Sequence, residues 1–300
     1  MWLVFLFFMG CCGEKDLSQP PPPLTSPTRI VVVTGASAGL GLELVKQLIR
    51  NENNFIAILT ARNPKAGEEA LHKLDPYHQY SDRVIFLQLD VTSSDSIQRF
   101  AGDIHSQFGY IDVLVNNAGI NPEGWDFSPK DSFPLDVAKS VMGTNFFGAV
   151  NVTTALLPMF REGGHVVNIG SKLGKFHQIP GDSLRAELSS NTQSSQDVVE
   201  IGKRYIESVR KGTYLQDGWP QHNYITSKVL LHVYTRALAR EQTGRIRVNA
   251  LCPGWTKTTI GGPLAPKSLE AGVRTYLMLV KSKSNSTGQF YEDERVSSFY

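Results

Sequence analysis

The stretch Thr34-Gly35-Ala36-Ser37-Ala38-Gly39-Leu40-Gly41 lies between a run of β-branched residues and a run with helical apolar spacing. Gly35 allows a sharp turn out of the predicted strand, Gly39 lets the backbone approach a pyrophosphate, and Gly41 allows a helix to pack closely on a sheet. The N-terminus of the helix would present N–H groups and the positive end of its dipole to phosphate. An ordinary tight loop between a strand and a helix is the alternative, but the strand before the turn and the helix after it favour a dinucleotide-binding turn, and the missing Lys of a P-loop argues against triphosphate hydrolysis.

Buried strands and amphipathic helices alternate after this turn. The predicted strands are 30–33, 55–59, 84–87, 113–115, 165–169 and 246–251, with a short one near 289–290. The predicted helices are 39–50, 64–74, 94–108, 137–160, 224–240 and 268–278. This alternation favours a parallel sheet that is covered on both faces. We therefore predict an α/β fold, a single doubly wound Rossmann-type domain, over residues 29–300.

The interval 172–223 interrupts the alternation and is polar. Within it, the segment Val198 to Val209 has apolar residues at helical spacing. We interpret the interval as an insertion that carries one amphipathic helix. The apolar stripe of that helix must be buried, and the nearest surface is the pair of predicted helices 137–160 and 224–240, beside which the insertion leaves and re-enters the chain. We therefore expect the insertion to cover that surface and the protein to be a monomer.

The composition excludes several classes of protein. The 300 residues are 41% hydrophobic and 19% charged, with 30 basic and 28 acidic side chains. A disordered chain needs lower hydrophobicity and higher net charge, and a nucleic-acid-binding domain would be basic. The three cysteines are Cys11, Cys12 and Cys252. This spacing provides no disulfide framework and no structural zinc site, and we expect a reducing compartment, the cytoplasm, and no bound metal.

Residues 1–28 are predicted to lie outside the fold. Residues 1–12 are apolar but too short for a bilayer span, which takes about 20 residues. No basic residue precedes the apolar run, which is unlike a signal peptide. A proline run, Pro20 to Pro23, then indicates a linker. A disordered leader, a wrongly chosen start codon, a membrane anchor and a cleaved signal remain open, and any membrane contact would be made through 1–12.

Five motifs in order resemble the short-chain dehydrogenase/reductase family. The glycine turn has that family's TGxxxGxG spacing. The other four are Asp90-Val91, Asn116-Asn117-Ala118-Gly119, Tyr224-Ile225-Thr226-Ser227-Lys228 and Pro253-Gly254. Each follows a predicted strand or lies on a predicted helix where the family has it.

Tyr224 and Lys228 are four residues apart on a predicted helix and therefore share one face. A phenol has a pKa of about 10 and is a slow acid at neutral pH. A neighbouring ammonium group would lower that pKa and let the phenol exchange a proton with a carbonyl oxygen. Taken alone, the pair is equally typical of an exposed helix surface.

The resemblance implies roles for four residues. Tyr224 would be the acid, Lys228 would support it and hold the nicotinamide ribose, Ser171 would bond the substrate oxygen, and Asn145 would hold a water that links Lys228 to solvent. The family usually has two serines at the position of Gly170-Ser171, and the second is the functional one. The interpretation of Asn145 and Ser171 as ordinary structural residues is the alternative.

The end of the second strand indicates the cofactor. Enzymes specific for NAD place a carboxylate there, whereas this chain has Thr60-Ala61-Arg62. An Arg can pair with a 2′-phosphate, so we expect NADP(H). Many relatives that prefer NADP have a second basic residue where this chain has Ala38. The other cofactor contacts implied by the resemblance are Gly35, Ser37, Gly39, Leu40, Gly41, Asp90, Val91, Asn117, Ala118, Gly119, Tyr224, Lys228, Pro253, Gly254 and Thr256.

Cys252 and Trp255 are assigned to the substrate pocket because they flank Pro253-Gly254 beside the expected nicotinamide. One hypothesis makes Cys252 a thiol at the mouth of the pocket that reacts with electrophilic quinones. The other, which is slightly favoured, makes it a small buried core residue.

The long interval between Ser171 and Tyr224 resembles the monomeric NADPH-dependent carbonyl reductases of this family. Members reduce quinones and other aldehydes and ketones, so we expect a carbonyl reductase that acts on a small molecule. Two alternatives are an alcohol or steroid dehydrogenase that works oxidatively and a non-catalytic NADP-binding protein.

Overall fold

The computed structural model describes residues 28–52, 54–125 and 134–300 of the chain. Apart from Thr28, the predicted leader lies outside the described residues. The strands are β1 (Arg29–Val33), β2 (Phe55–Ala61), β3 (Val84–Gln88), β4 (Ile111–Asn116), β5 (Phe160–Ile169), β6 (Ile246–Cys252), β7 (Phe290–Glu292) and β8 (Arg295–Ser297). The helices are α1 (Gly39–Asn51), α2 (Pro64–Leu74), α3 (Ser94–Gln107), α4 (Leu135–Met142), α5 (Gly148–Leu156), α6 (Asp182–Ser189), α7 (Ser195–Lys211), α8 (Asn223–Glu241), α9 (Leu269–Gly272) and α10 (Arg274–Lys281).

The eight strands form one sheet in the order β3-β2-β1-β4-β5-β6-β7-β8. Every pairing is parallel except that of β7 with β8. Alternate residues of β1 enter different cores: Ile30 and Val32 pack on the α3, α5 and α8 side, and Val31 and Val33 on the α1, α2 and α10 side. The buried β-branched run is thus explained by a strand with a core on each face, and the predicted doubly wound α/β fold is confirmed.

Several predicted boundaries were wrong. The helix predicted over 137–160 is α4, a π-helical turn at Gly143–Phe147 and α5, and it ends at Leu156. Pro158 lies in the 3₁₀ turn that follows, where its ring and missing N–H stop an α-helix. The last predicted helix is two helices, α9 and α10. The short strand predicted near 289–290 is β7, but β8 was missed because Arg295–Ser297 contains a single apolar residue, Val296.

The insertion contains two helices rather than the one predicted. The predicted helix is α7, which begins with a capping box between Ser194 and Asp197 and ends at left-handed Gly212. The missed helix, α6, buries Leu184 and Leu188, whose spacing of four residues is its only apolar signal.

Helix α7 packs against α4 and α8. Its Tyr205 side chain is fully buried, packs against the tilted Trp219 ring with ring centres 5.0 Å apart, and donates a hydrogen bond to Asn223 Oδ1 at 2.6 Å. Gly202 lets the helix approach closely, because a Cβ there would lie 2.6 Å from the Phe146 ring. Among the described helices, none is both long and apolar enough to cross a bilayer.

Replacing two helical glycines by alanine should therefore change the free energy of unfolding in opposite directions. Gly202→Ala should lower the free energy of unfolding by about 1–3 kcal/mol, because the added methyl meets a buried ring. Gly102 on α3 has nothing within 4 Å of its Cβ position, so Gly102→Ala should raise it by about 0.5–1 kcal/mol through helix propensity. Urea unfolding measures both. Equal changes in the free energy of unfolding of the two variants would contradict the close packing of α7.

Candidate active site

A cavity of about 850 Å³ opens at the carboxyl ends of the parallel strands. It lies where the strand order reverses between β1 and β4, which is where ligands bind in doubly wound sheets. The residues predicted from sequence that line it are Gly35, Ser37, Gly39, Leu40, Arg62, Asp90, Val91, Asn117, Ala118, Gly119, Ser171, Tyr224, Lys228, Cys252, Pro253, Gly254, Trp255 and Thr256. Two predicted residues, Gly41 and Asn145, are not part of its wall.

The glycine turn is tightly packed against the loop that follows β4. Gly35 has φ +61°, and a Cβ there would lie 2.9 Å from Ala118 Cα. Gly41 lies behind the cavity wall, where a Cβ would come within 2.5 Å of Asn117 Nδ2. Its position fits the packing role that the spacing suggested rather than direct contact with a ligand.

Helix α1 begins at the cavity without a side-chain cap. Its N-cap residue is Ala38, which offers no acceptor, and its first turn contains no acidic residue. The first N–H groups of this 13-residue helix therefore keep their capacity to bind an external anion. Arg62 is exposed at the end of β2 and lines the same end of the cavity.

Thr34 connects the first strand to the loop after β4, and sequence reasoning missed it. Its Oγ1 accepts hydrogen bonds from the backbone N–H groups of Asn117 and Ala118, both at 2.9 Å. In return Asn117 Nδ2 donates to the carbonyl oxygens of Thr34 at 2.9 Å and Gly35 at 3.1 Å. The only sequence signal is a hydroxyl residue between a buried strand and its first glycine.

Tyr224 and Lys228 lie on α8 at the opposite end of the cavity and are both buried. Lys228 Nζ lies 5.4 Å from the centre of the Tyr224 ring and donates a hydrogen bond to the Ile169 carbonyl at 2.6 Å. Burial lowers the pKa of the Lys228 ammonium to about 8. The predicted shared face of the two residues is therefore present.

The pKa of the Tyr224 phenol is raised, whereas the sequence analysis predicted that it would be lowered. Desolvation by burial is the largest cause, and a hydrogen bond with the Ser171 hydroxyl acts in the opposite direction. Lys228 was expected to lower the pKa of the phenol, but its effect does not offset the desolvation. Its ammonium lies over the ring and is hydrogen-bonded to the Ile169 carbonyl. In the chain by itself the phenol is firmly protonated, which is the form that donates a proton.

Ser171 follows β5 and faces the cavity. Its Oγ accepts a hydrogen bond from the Leu173 N–H at 3.1 Å and caps the short 3₁₀ turn Lys172–Gly174. The hydroxyl is thereby oriented beside the Tyr224 phenol. The two hydroxyl groups can address one ligand oxygen.

Asn145 lies in the π-helical turn, buried behind the cavity wall. Its Oδ1 accepts from Ile120 N–H at 2.8 Å, and its Nδ2 donates to the Ile120 carbonyl at 2.9 Å and Ser227 Oγ at 3.1 Å. A Cβ on Gly119 would lie 3.5 Å from Asn145 Oδ1 and 3.9 Å from Lys228 Nζ. Asn145 therefore ties the loop after β4 to α8 close to the lysine.

Two tryptophans flank the entrance of the cavity. Trp125, which sequence reasoning missed, lies edge-on to Tyr224 with ring centres 5.6 Å apart and donates to the Ile260 carbonyl at 2.8 Å. Trp255 is 52% exposed and donates to the Gly261 carbonyl at 2.7 Å. The wall of the cavity thus includes two aromatic side chains. Nothing in the sequence around Trp125 distinguishes it from a loop residue.

Cys252 ends β6 and is 6% exposed. Burial raises the pKa of its thiol. Because the thiolate is the reactive form, this environment favours the hypothesis of an inert buried residue. Among the described residues, no group of three or more His, Cys, Asp or Glu side chains could hold a metal ion.

A family model described as short chain dehydrogenase matches residues 29–183. The chain belongs to the short-chain dehydrogenase family, as the motifs predicted. It is 35% identical to carbonyl reductase (NADPH) 1 of Sus scrofa over 91% of this chain and 95% of that protein. It is 34% identical to carbonyl reductase (NADPH) 1 of Homo sapiens over 91% and 99% of the two chains.

Solved structures show the same similarity. Salutaridine reductase from Papaver somniferum matches with a TM-score of 0.78 and 26% identity, over 88% of this chain and 99% of that one. The NADPH-bound carbonyl reductase from chicken fatty liver matches with a TM-score of 0.67 and 25% identity, over 90% and 99%.

The buried thiol of Cys252 should resist alkylation in the native protein. With Cys11 and Cys12 replaced by Ser, intact mass should show slow modification by a small maleimide at neutral pH. The rate should rise at higher pH, because the raised pKa is then approached. The urea-unfolded chain is the control and should react fast. Fast native modification that NADPH blocks would instead support a reactive thiol at the pocket mouth.

Proposed function

We propose that the protein reduces aldehydes, ketones and quinones to alcohols with NADPH. The observation that carries the proposal is the convergence of Tyr224, Ser171 and Lys228 at one end of a cavity whose other end has an uncapped helix and Arg62. The names of its relatives from Sus scrofa and Homo sapiens support the same reaction.

The residues of the cavity fit NADP(H). The uncapped start of α1 suits the pyrophosphate, since its N–H groups and dipole attract an anion. Bare backbone at Gly35 and Gly39, both with positive φ, allows close approach. Arg62 suits the 2′-phosphate of the adenosine, and Asp90 and Val91 border the space for the adenine. Lys228 would hold the nicotinamide ribose, as it does in the family.

When bound, the nicotinamide supplies a hydride to the carbonyl carbon. The Tyr224 phenol donates its proton to the carbonyl oxygen, which becomes the alcohol hydroxyl. The Ser171 hydroxyl donates a hydrogen bond to the same oxygen and stabilises its developing charge. The raised pKa of the free phenol keeps the acid protonated before substrate arrives.

Lys228 then supports the phenolate that remains. Its ammonium lies 5.4 Å from the ring centre, and its positive charge offsets part of the cost of burying the phenolate. The pKa of Lys228, lowered to about 8, lets it exchange a proton near neutral pH. Lys228 Nζ and Asn145 Oδ1 both lie within 4 Å of the Cβ position of Gly119, and we assign Asn145 the role of linking Lys228 to solvent.

Two alternative functions are less well supported. An oxidising alcohol or steroid dehydrogenase would use the same tyrosine, but Arg62 favours NADPH, which in cells drives reduction. A non-catalytic NADP-binding protein would have no need for a buried lysine beside a buried tyrosine at the cavity end. Turnover of a panel of aldehydes, ketones and quinones with NADPH separates the three.

Tyr224→Phe should lower kcat by about 10²–10⁴-fold, because the ring remains and the acid is lost. The loss of NADPH absorbance with a reduced carbonyl substrate measures it, and NADPH binding by fluorescence should persist. Tyr234→Phe is the matched control, since Tyr234 is also buried on α8 but lies outside the cavity wall. Near-normal kcat for Tyr224→Phe would refute the assignment.

Arg62→Ala should raise the KM for NADPH far more than that for NADH. A charge-assisted contact to the 2′-phosphate is worth about 1.5–3 kcal/mol, or roughly ten- to a hundredfold in KM. Arg99→Ala on α3 removes an exposed arginine outside the cavity and serves as the control. Equal effects on the two cofactors would contradict the role of Arg62.

We also propose that the protein is a monomer, because α7 covers α4, α8 and the Phe146 ring between them. Sedimentation at micromolar concentration should give a single species near the mass of one 33.2 kDa chain. Replacing Ile201 and Tyr205 by charged residues should expose this surface and cause association, with the nucleotide site retained. A stable wild-type dimer would contradict the proposal.

We propose that the enzyme is cytoplasmic. The cysteine content supports a reducing compartment, since the cysteine of the folded body is free and buried. Attachment to a membrane through residues 1–12 is the alternative, and cell fractionation of the full chain distinguishes the two.

A further inference from the structure

A buried histidine lies directly behind Ser171. His232 is on α8, one turn beyond Lys228, and its side chain is fully buried. Its Nε2 accepts a hydrogen bond from the backbone N–H of Ser171, with 3.4 Å between the two nitrogens. The imidazole therefore contacts the backbone of the residue whose hydroxyl faces the substrate.

Gly170 makes this contact possible. A Cβ on Gly170 would lie 2.2 Å from His232 Nε2 and 2.8 Å from its Cδ2, so no other residue fits there while the imidazole is present. Gly170 is also where this chain departs from the Ser-Ser pair usual in the family. The His232 imidazole therefore requires a glycine at position 170.

The groups around the imidazole hold it in place and keep it neutral. The Phe290 and Phe299 rings pack against it with centres 4.6 Å and 5.3 Å away. The pKa of His232 is lowered to about 3. Desolvation by burial is the largest cause, and the positive charge of Lys228 lowers the pKa further. The ring is therefore neutral at all working pH values and keeps a lone pair for the Ser171 N–H.

We propose that His232 is a positioning residue for carbonyl reduction, which acts by holding the Ser171 backbone so that the hydroxyl meets the carbonyl oxygen. The inference rests on the proposed function. The Ser171 N–H is anchored to His232, and the Leu173 N–H orients Ser171 Oγ. Both the backbone and the hydroxyl of the serine are thus held by hydrogen bonds.

Removal of the acceptor tests the proposal. His232→Met fills the space but leaves the Ser171 N–H without a partner. The variant should lower kcat by about 10- to 100-fold, since small misplacements at a reacting centre have effects of this size. NADPH affinity should be unchanged. His232→Gln restores an acceptor near the position of Nε2 and should recover most of the lost kcat.

His165 provides a matched control. It is also fully buried, has a pKa lowered to about 3 and bonds within the core, to the Leu279 carbonyl and Asn249, away from the cavity. His165→Met should lower the unfolding midpoint as much as His232→Met does without the loss of kcat. If both variants lose kcat in proportion to stability, the role of His232 is only structural and the proposal is wrong.

A double-mutant cycle with Ser171→Ala gives the decisive readout. If His232 acts through the Ser171 hydroxyl, His232→Met should have no further effect on kcat once that hydroxyl is gone. Multiplicative effects of the two substitutions would overturn the proposal even if the single variant is slow. If His232→Met does not fold, the cycle is carried out with His232→Gln and His232→Asn, which differ in acceptor position.

The same measurements separate this inference from the proposed function. If the wild-type chain reduces no carbonyl with NADPH, both fail. If the wild type is active and His232→Met keeps its kcat, only the inference fails.

Discussion

The hydrogen bonds between Thr34 and the loop after β4 hold the glycine turn against that loop at the carboxyl edge of the sheet. One hydroxyl accepts from two successive N–H groups, of Asn117 and Ala118, and the Asn117 amide returns two bonds to Thr34 and Gly35. These contacts link β1 to β4, the two strands between which the order of the sheet reverses. The crevice is therefore held at a fixed width, and both the glycine turn and the start of α1 face into it.

Helix α8 is buried on nearly all sides, although many of its residues are polar. It therefore depends on hydrogen-bond partners that the surrounding structure holds in place. Burial of a polar group is costly unless it is bonded. Partners come from the rest of the chain: the Ile169 carbonyl for Lys228, Asn145 for Ser227, and Asn168 for Thr235. This enclosure accounts for the shifted pKa values of Tyr224 and Lys228, and the insertion helix α7 provides part of it.

The sequence predicted the parallel sheet, most of its strands and helices, and half of the residues that line the cavity, since each rests on local patterns. Runs of β-branched residues, helical spacing and glycines at turns are short-range signals. It failed where the decisive contact is long-range. The direction of the Tyr224 pKa shift, the edge-on Trp125 and the acceptor role of His232 involve residues far apart in the chain. The positions of Gly41 and Asn145 behind the wall also follow from packing and not from spacing.

By itself, the sequence determined the alternation of strands and helices up to β5, the dinucleotide turn, the Tyr224–Lys228 pair and the basic residue Arg62 at the end of β2. The tertiary structure alone decided how these groups are solvated and supported. The reason is physical: a pKa, a hydrogen bond to Ser171 or the cover over a helix depends on what lies within a few ångströms in space. In this fold those neighbours come from α8, the insertion and the C-terminal strands, which the chain brings together only when the sheet has formed.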